Sequence, residues 1–325
     1  MNKRLRMIQK IVDIINRHQK FLITAHVKLD GDALGSELAV YFLLKGLGKE
    51  VAVYNQDKTP DNFRFLPGAD IIRNTLPPQD SFEVAIILDC SELDRVGDEA
   101  LRIGAAKTLV NIDHHFSNGG FCEVRLIDPA ASSTGELVFR LLTAMRTAIT
   151  REMATNLYTA IITDTGGFHY GNTGKDTFIA AGHLVESGAD PQWISENIYE
   201  SFPMAKIRLL AKVMQTLSFD CRDRVGSLVI FLKDFEETGA LWEHSEGLVD
   251  LPRSIAGVEI SILYTELPDR NFKISLRSKG VTNVERVAKV FGGGGHVNAS
   301  GCRIEGDIDT VKKRLLEVIC TSAWK

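Results

Sequence analysis

The chain has 325 residues, of which 44% are hydrophobic, 25% charged and 8% aromatic. That is enough apolar material for about two cores, and it excludes a disordered, collagenous or coiled-coil protein. Lysine plus arginine total 38 against 42 acidic residues, a net charge of -4, which argues against coating long nucleic acid through counterion release and leaves a short or mononucleotide-sized anion as a ligand.

The N-terminal pattern Ile8, Ile11, Val12, Ile15 predicts an amphipathic helix. It is followed by an apolar strand over Phe21 to Ala25, a helix over Ala33 to Leu47 and a strand over Val51 to Tyr54, a βαβ rhythm. Val84 to Leu88 is a continuous apolar run and Thr108 to Ile112 a largely apolar one, as expected of strands covered on both faces. The implied architecture is α/β, a parallel helix-flanked sheet. Helical patterns then fill Thr134 to Met145, Glu152 to Ile162 and Thr177 to Glu186. Gly188, Pro191 and Pro203 punctuate the chain before a basic helical segment, Lys206 to Leu217. Beyond it, strands over Val225 to Leu232, Val258 to Tyr264 and Phe272 to Leu276, with helices near Val284 to Val290 and Thr310 to Ile319, form a smaller mixed α/β domain. The expected organisation is a first domain over 1–190, a helical linker over 191–217 and a smaller second domain over 218–325.

No apolar stretch reaches the roughly 20 residues needed to cross a bilayer, and the first residues mix Lys3, Arg4, Arg6 and Lys10 with spaced isoleucines instead of a signal core. A cytoplasmic protein without membrane association is expected. Cys90, Cys122, Cys221, Cys302 and Cys320 are scattered and form no CxxC, so the expectation is buried free thiols.

Acidic and imidazole side chains collect where the strands end. His26 follows the first strand, with Asp30 and Asp32 around Gly31; Asp89 ends the third, and Asp113, His114 and His115 end the fourth. In an open parallel sheet all carboxyl ends lie on one edge, where ligands bind. Taken singly, an Asp-x-Asp also serves as a turn or helix N-cap, and two adjacent histidines also arise as one buried and one surface residue. Their joint occurrence at successive strand ends is not predicted by chance capping. Four carboxylates crowded together repel, so cations must accompany them, and mixed oxygen and imidazole ligation suits Mn²⁺, Mg²⁺ or Fe²⁺. A carboxylate shared by two ions would hold them about 3.5–4 Å apart, the spacing used to activate water for attack on phosphorus. Asp164 is a further candidate ligand: it ends an apolar helix ahead of Gly166 and Gly167, and its charge there is unfavourable without a nearby cation.

These residues match a known pattern. The chain resembles the DHH phosphoesterases in its Asp113-His114-His115 triplet, its first motif from Ala25 to Ser36, its second at Leu88-Asp89-Cys90 and its fourth at Thr163-Asp164-Thr165-Gly166. The second domain resembles the DHH-associated domain, which the resemblance places across a cleft from the first and which ends here in a glycine-rich turn with His296, within the run Gly292 to Gly301. The likeness spans nearly the whole chain and follows the order of the NrnA-like subgroup. It implies a hydrolase acting on short RNA oligonucleotides (nanoRNA) and on the nucleotide 3',5'-bisphosphate pAp, a homodimer, and two Mn²⁺ as cofactors. It also implies that His26, Asp30 and Asp89 hold one ion and that Asp32, Asp89, His114 and Asp164 hold the other, with Asp89 bridging. Asp113 would orient an imidazole and His115 would face the substrate phosphate, while Arg277, Gly293, Gly294, Gly295 and His296 would contact substrate. Related proteins often carry arginine where His169 stands, so His169 is left outside the catalytic set. Hydrolysis of the linear dinucleotides pGpG or pApA is the same chemistry. A RecJ-like single-strand exonuclease would have a longer chain, despite the basic cluster Lys206, Arg208, Lys212, Arg222 and Arg224. A non-catalytic nucleotide sensor would have lost at least one of the six ligands.

Overall fold

The computed structural model describes residues 3–78, 81–280 and 282–322. The chain forms two compact units, Met1–Ser201 and Phe202–Lys325. The first is built on β1 (Lys20–Thr24), β2 (Glu50–Val53), β3 (Val84–Leu88), β4 (Thr108–Asp113) and β5 (Val124–Ile127). They pair in the order β2-β1-β3-β4-β5, and every pairing is parallel. All five residues of β3 are buried, which is why its sequence is uniformly apolar and not alternating. The strand order reverses between β1 and β3, and in sheets of this kind the ligand crevice opens at that reversal, outside the carboxyl ends.

The helices are α1 (Lys3–Arg17), α2 (Gly31–Gly46), α3 (Ala100–Gly104), α4 (Thr134–Ala144), α5 (Arg151–Asp164), α6 (Lys175–Glu186) and α7 (Pro191–Tyr199). Helix α2 is buried continuously from Gly31 to Val40 because two of its glycines let α5 come close. A Cβ on Gly35 would lie 2.2 Å from the Asn156 carbonyl oxygen, and one on Gly31 would lie 2.4 Å from Thr163 Oγ1. Asp30 caps the start of α2 by accepting the Ala33 N–H at 3.0 Å, which fixes where Asp32 projects. Helix α7, which falls in the stretch read as linker, belongs to the first unit.

The second unit contains α8 (Met204–Met214), β6 (Ser218–Asp220), β7 (Val225–Ile230), α9 (Leu232–Thr238), β8 (Ile260–Leu267), β9 (Asn271–Ser278), α10 (Val284–Val290), β10 (Gly294–His296), β11 (Ala299–Glu305) and α11 (Ile308–Ser322). Its sheet runs β10-β11-β9-β8-β7-β6. Only the β7–β8 pairing is parallel among the described residues. Phe272, Ile274 and Leu276 of β9 alternate inward onto a core shared with Tyr264, Val287 and Leu315.

Two expectations are corrected here. The glycine run is not simply a turn: Gly294 to His296 form an edge strand on β11. Added Cβ atoms would lie 2.1 Å from the Gly301 oxygen at Gly293 and 2.5 Å from the Ala299 oxygen at Gly295, so glycine is needed for that close approach. The thiols are not all free either. Cys221 joins Cys320 in a disulfide across 99 residues, while Cys90, Cys122 and Cys302 are buried free thiols. The pairing has no signature in local spacing, because it depends on α11 returning to the end of β6. Among the described residues no helix is long and apolar enough to cross a membrane.

Candidate metal centre and active site

The carboxyl edge of the first sheet gathers the strand-end residues into one cluster. His26 follows β1 and is 5% exposed. Its Nδ1 donates to the Val27 carbonyl at 2.8 Å, which turns Nε2 toward Asp89 Oδ2 at 3.2 Å and Asp30 Oδ2 at 3.6 Å. Burial opposes charge on this imidazole, but Asp30 and Asp89 outweigh it and raise its pKa to about 10. Across the reversal point Asp89 follows β3 with φ 54, a left-handed conformation that aspartate tolerates better than most residues. Its two oxygens serve opposite sides. Oδ2 meets His26, while Oδ1 lies 3.7 Å from His114 Nε2 and 3.5 Å from His115 Nδ1. Burial works against ionisation of Asp89, yet the hydrogen bond from His26 and the charges of His115 and His114 hold its carboxyl well below the usual range.

His114 Nε2 also lies 3.6 Å from Asp32 Oδ2 and 3.4 Å from Asp164 Oδ2. Burial, then the charges of Asp89, Asp164 and Asp30, push the Asp32 carboxyl well above its ordinary value. Asp164, the last residue of α5, is raised to about 6, chiefly by burial and against the pull of His114. His115 Nδ1 is 2.7 Å from Asp113 Oδ1. Because an ionised carboxylate only accepts, the proton of that bond sits on Nδ1. Burial lowers the basicity of His115, but Asp113 and Asp89 overcome it and the pKa rises.

Among the described residues, three donor groups have their ligand atoms within 4.8 Å of one another: His26, Asp30 and Asp89; Asp32, His114 and Asp164; and Asp89, His114 and His115. The donor chemistry fits a divalent cation. Oxygen and imidazole ligands converge without thiolate, and carboxylates this close repel one another unless a cation stands among them.

Several supporting residues were not singled out in the sequence. Ser133 caps α4 by accepting the Glu136 N–H at 3.0 Å. The next two N–H groups point at Asp32: Thr134 N–H reaches Oδ2 at 2.7 Å and Gly135 N–H reaches Oδ1 at 2.8 Å. A helix N-terminus thereby holds one carboxylate. The Thr134 hydroxyl donates to Asp89 Oδ1 at 2.9 Å, and Asn118 Nδ2 donates to Asp113 Oδ2 at 2.6 Å. Asn172 Nδ2 reaches the Asp164 carbonyl at 3.1 Å. The Ser-x-x-Glu cap was a readable signal for the start of α4, but the targets of its N–H groups lie about a hundred residues away.

In the second unit Arg277 lies on β9 opposite Ala299. Its Nη1 donates to the Leu276 carbonyl at 3.1 Å, and its Nε is 4.0 Å from Asp250 Oδ1. Gly294 and Gly295 are in β10 and Gly293 leads into it; the side chain of His296 lies outside the described residues. His169 is exposed, its Nδ1 donating to the Gly166 carbonyl.

Residues 20–161 match the DHH family N-terminal domain and residues 226–322 match the DHHA1 domain. The chain is 30% identical over 318 residues to the bifunctional oligoribonuclease and PAP phosphatase NrnA of Thermus thermophilus, covering 98% of this chain and 94% of that one. The chain belongs to the DHH family. It is a phosphoester hydrolase of that family, as the resemblance around Asp113-His114-His115 implied. The corresponding NrnA of Bacillus subtilis is 24% identical over 94% of this chain and 99% of its own. The crystal structure of an exopolyphosphatase-related protein from Bacteroides fragilis superposes with a TM-score of 0.92 at 30% identity, covering 98% of both chains.

Proposed function

We propose that this DHH phosphoesterase is a two-metal, Mn²⁺-dependent enzyme that degrades RNA of a few nucleotides to mononucleotides and removes the 3'-phosphate of pAp. The observation that carries the reading is Asp89, whose two oxygens face His26 on one side and His114 on the other. His26, Asp30 and Asp89 would hold one ion; Asp32, Asp89, His114 and Asp164 would hold the second. Bound there, divalent ions supply Lewis acidity at phosphorus and a water activated near neutral pH.

The chain's own residues do the rest. The Thr134 hydroxyl fixes the rotation of Asp89, and the first N–H groups of α4 fix Asp32. Asp113 accepts from Nδ1 of His115 and orients the ring, so that the Nε2–H of the protonated imidazole faces the substrate phosphate as a donor to the developing negative charge. Arg277 offers a planar fork of donors to a phosphate, and Gly293, Gly294 and Gly295 let backbone N–H groups approach an anion beside His296. The relatives named as oligoribonuclease and PAP phosphatase support both substrates. A cytoplasmic homodimer completes the proposal.

The test compares wild type and Asp89→Ala with Mn²⁺ on trinucleotide RNA, pAp, pGpG and pyrophosphate. Wild type should release mononucleotides from RNA and phosphate from pAp, and Asp89→Ala should lose activity by about a thousandfold or more, as expected when a ligand shared between both ions is removed. Binding of these substrates by wild type without turnover would overturn the reading.

A further inference from the structure

Phe116 directly follows His115 and is 94% exposed; no large apolar side chain among the described residues is more so. The turn that carries it is firmly held. Asn118 N–H donates to the His115 carbonyl at 3.2 Å, and Asn118 Nδ2 donates to Asp113 Oδ2 at 2.6 Å and to Asn111 Oδ1 at 2.9 Å. Asn118 Oδ1 in turn accepts the Gly120 N–H at 2.8 Å. The side chain that pins Asp113 therefore also pins the turn presenting the ring. The ring offers a flat apolar face whose burial against another flat group is favourable, and a platform ordered in advance loses little freedom when that happens.

We propose that Phe116 is the stacking platform for a nucleobase of the substrate. The inference rests on the reading of the site as a nucleotide phosphoesterase with His115 at the phosphate. Adjacent Cα atoms are about 3.8 Å apart, so the ring is carried within one residue of the group that meets the phosphate. The base is the flat, weakly hydrated part of such a substrate and is tethered to that phosphate through ribose. Every base presents a π face, so stacking adds affinity without selecting a sequence, as suits an enzyme that clears mixed short oligomers.

Steady-state kinetics with Mn²⁺ on wild type, Phe116→Ala and Phe116→Trp test this, using pAp and ribose 3',5'-bisphosphate, the same compound without its base. Phe116→Ala should raise KM for pAp about tenfold, which is about 1.4 kcal/mol, with kcat within about twofold; Trp should restore KM, and the base-free compound should be unaffected. An unchanged KM for pAp, or an equal rise for both compounds, overturns the inference. So does a changed gel-filtration volume for the Ala variant, which would assign Phe116 to a contact between copies. If wild type hydrolyses neither compound, the phosphoesterase reading of the substrate fails by itself. Fluorescence quenching of a 2-aminopurine dinucleotide then decides stacking separately: quenching by wild type that Phe116→Ala loses supports it, and equal quenching by both overturns it.

Discussion

The two sheets of this protein gather chemistry in opposite ways. In the first, every strand runs the same way, so the residues after β1, β3 and β4 emerge on one edge, and His26, Asp89 and His114 meet although they are far apart in sequence. In the second, most neighbours are antiparallel and successive strand ends point to opposite edges. Its candidate substrate residues lie in or beside strands, Arg277 on β9, Gly294 and Gly295 on the edge strand β10 and Gly293 just before it. A parallel sheet concentrates titratable groups from a whole domain, whereas an antiparallel one builds a surface from adjacent pairs. Stability and chemistry should accordingly separate between the two units, and substitutions can test that separation.

Among substitutions that leave every candidate metal ligand in place, the largest effect is expected at Thr134. Thr134→Val keeps the shape and the N–H that holds Asp32, and removes only the hydroxyl on Asp89. Activity or metal affinity should fall by about 10–100-fold, measured as kcat/KM against Mn²⁺ concentration, with the thermal midpoint unchanged. A midpoint that falls along with activity would mean that Asp89 is held by packing and not by this hydrogen bond.

The separation also explains what could be read from the sequence. β3 is a continuous apolar run and β4 a largely apolar one, each followed by acids or histidines, so the parallel sheet and the edge that gathers Asp89, Asp113, His114 and His115 were visible in the residues themselves. Strand β5 was missed because it is four residues long with exposed Arg125 inside it, which leaves little period to detect. Strand β11 was missed because it begins with Ala299, Ser300 and Gly301, residues that read as a continuation of the glycine run. The roles of Thr134 and Gly135 were hidden for a different reason: the acids they hold are brought to them only by the fold. Cys221 and Cys320 were hidden in the same way.

The disulfide gives the converse test in the second unit. Closing a loop of about a hundred residues contributes at most about 4.7 kcal/mol by restricting the unfolded chain, and disulfides typically deliver about 2–4 kcal/mol. Adding reductant should lower the thermal transition of the second unit, and Cys221→Ser should show the lowered value with or without reductant. The transition of the first unit should not move. A wild type indifferent to reductant would show that the bond does not form in solution.

The smallest expected effect lies behind the active edge, at Glu37 on α2. Its side chain is fully buried; Oε1 accepts from Asn55 Nδ2 at 2.6 Å, and Asn55 Oδ1 accepts the Ala25 N–H at the end of β1. Oε2 is among the buried oxygens without a hydrogen-bond partner. Burial raises the carboxyl from 4.5 to about 8, against smaller pulls from Asn55 and His26. The folded state therefore holds a proton that the unfolded chain has released between those values, so the stabilisation is complete below pH 4.5 and is lost as pH rises through about 8. Glu37→Gln keeps an acceptor for Asn55 and cannot ionise. Its thermal midpoint should match wild type at pH 4.5 and exceed it at pH 9 by about 2–4 °C, since a buried carboxylate that ionises recruits water and softens the penalty. Parallel curves for the two proteins across that range would show that Glu37 is already ionised in the folded unit, and that the carboxylates at the sheet edge titrate without a neutral acid behind them.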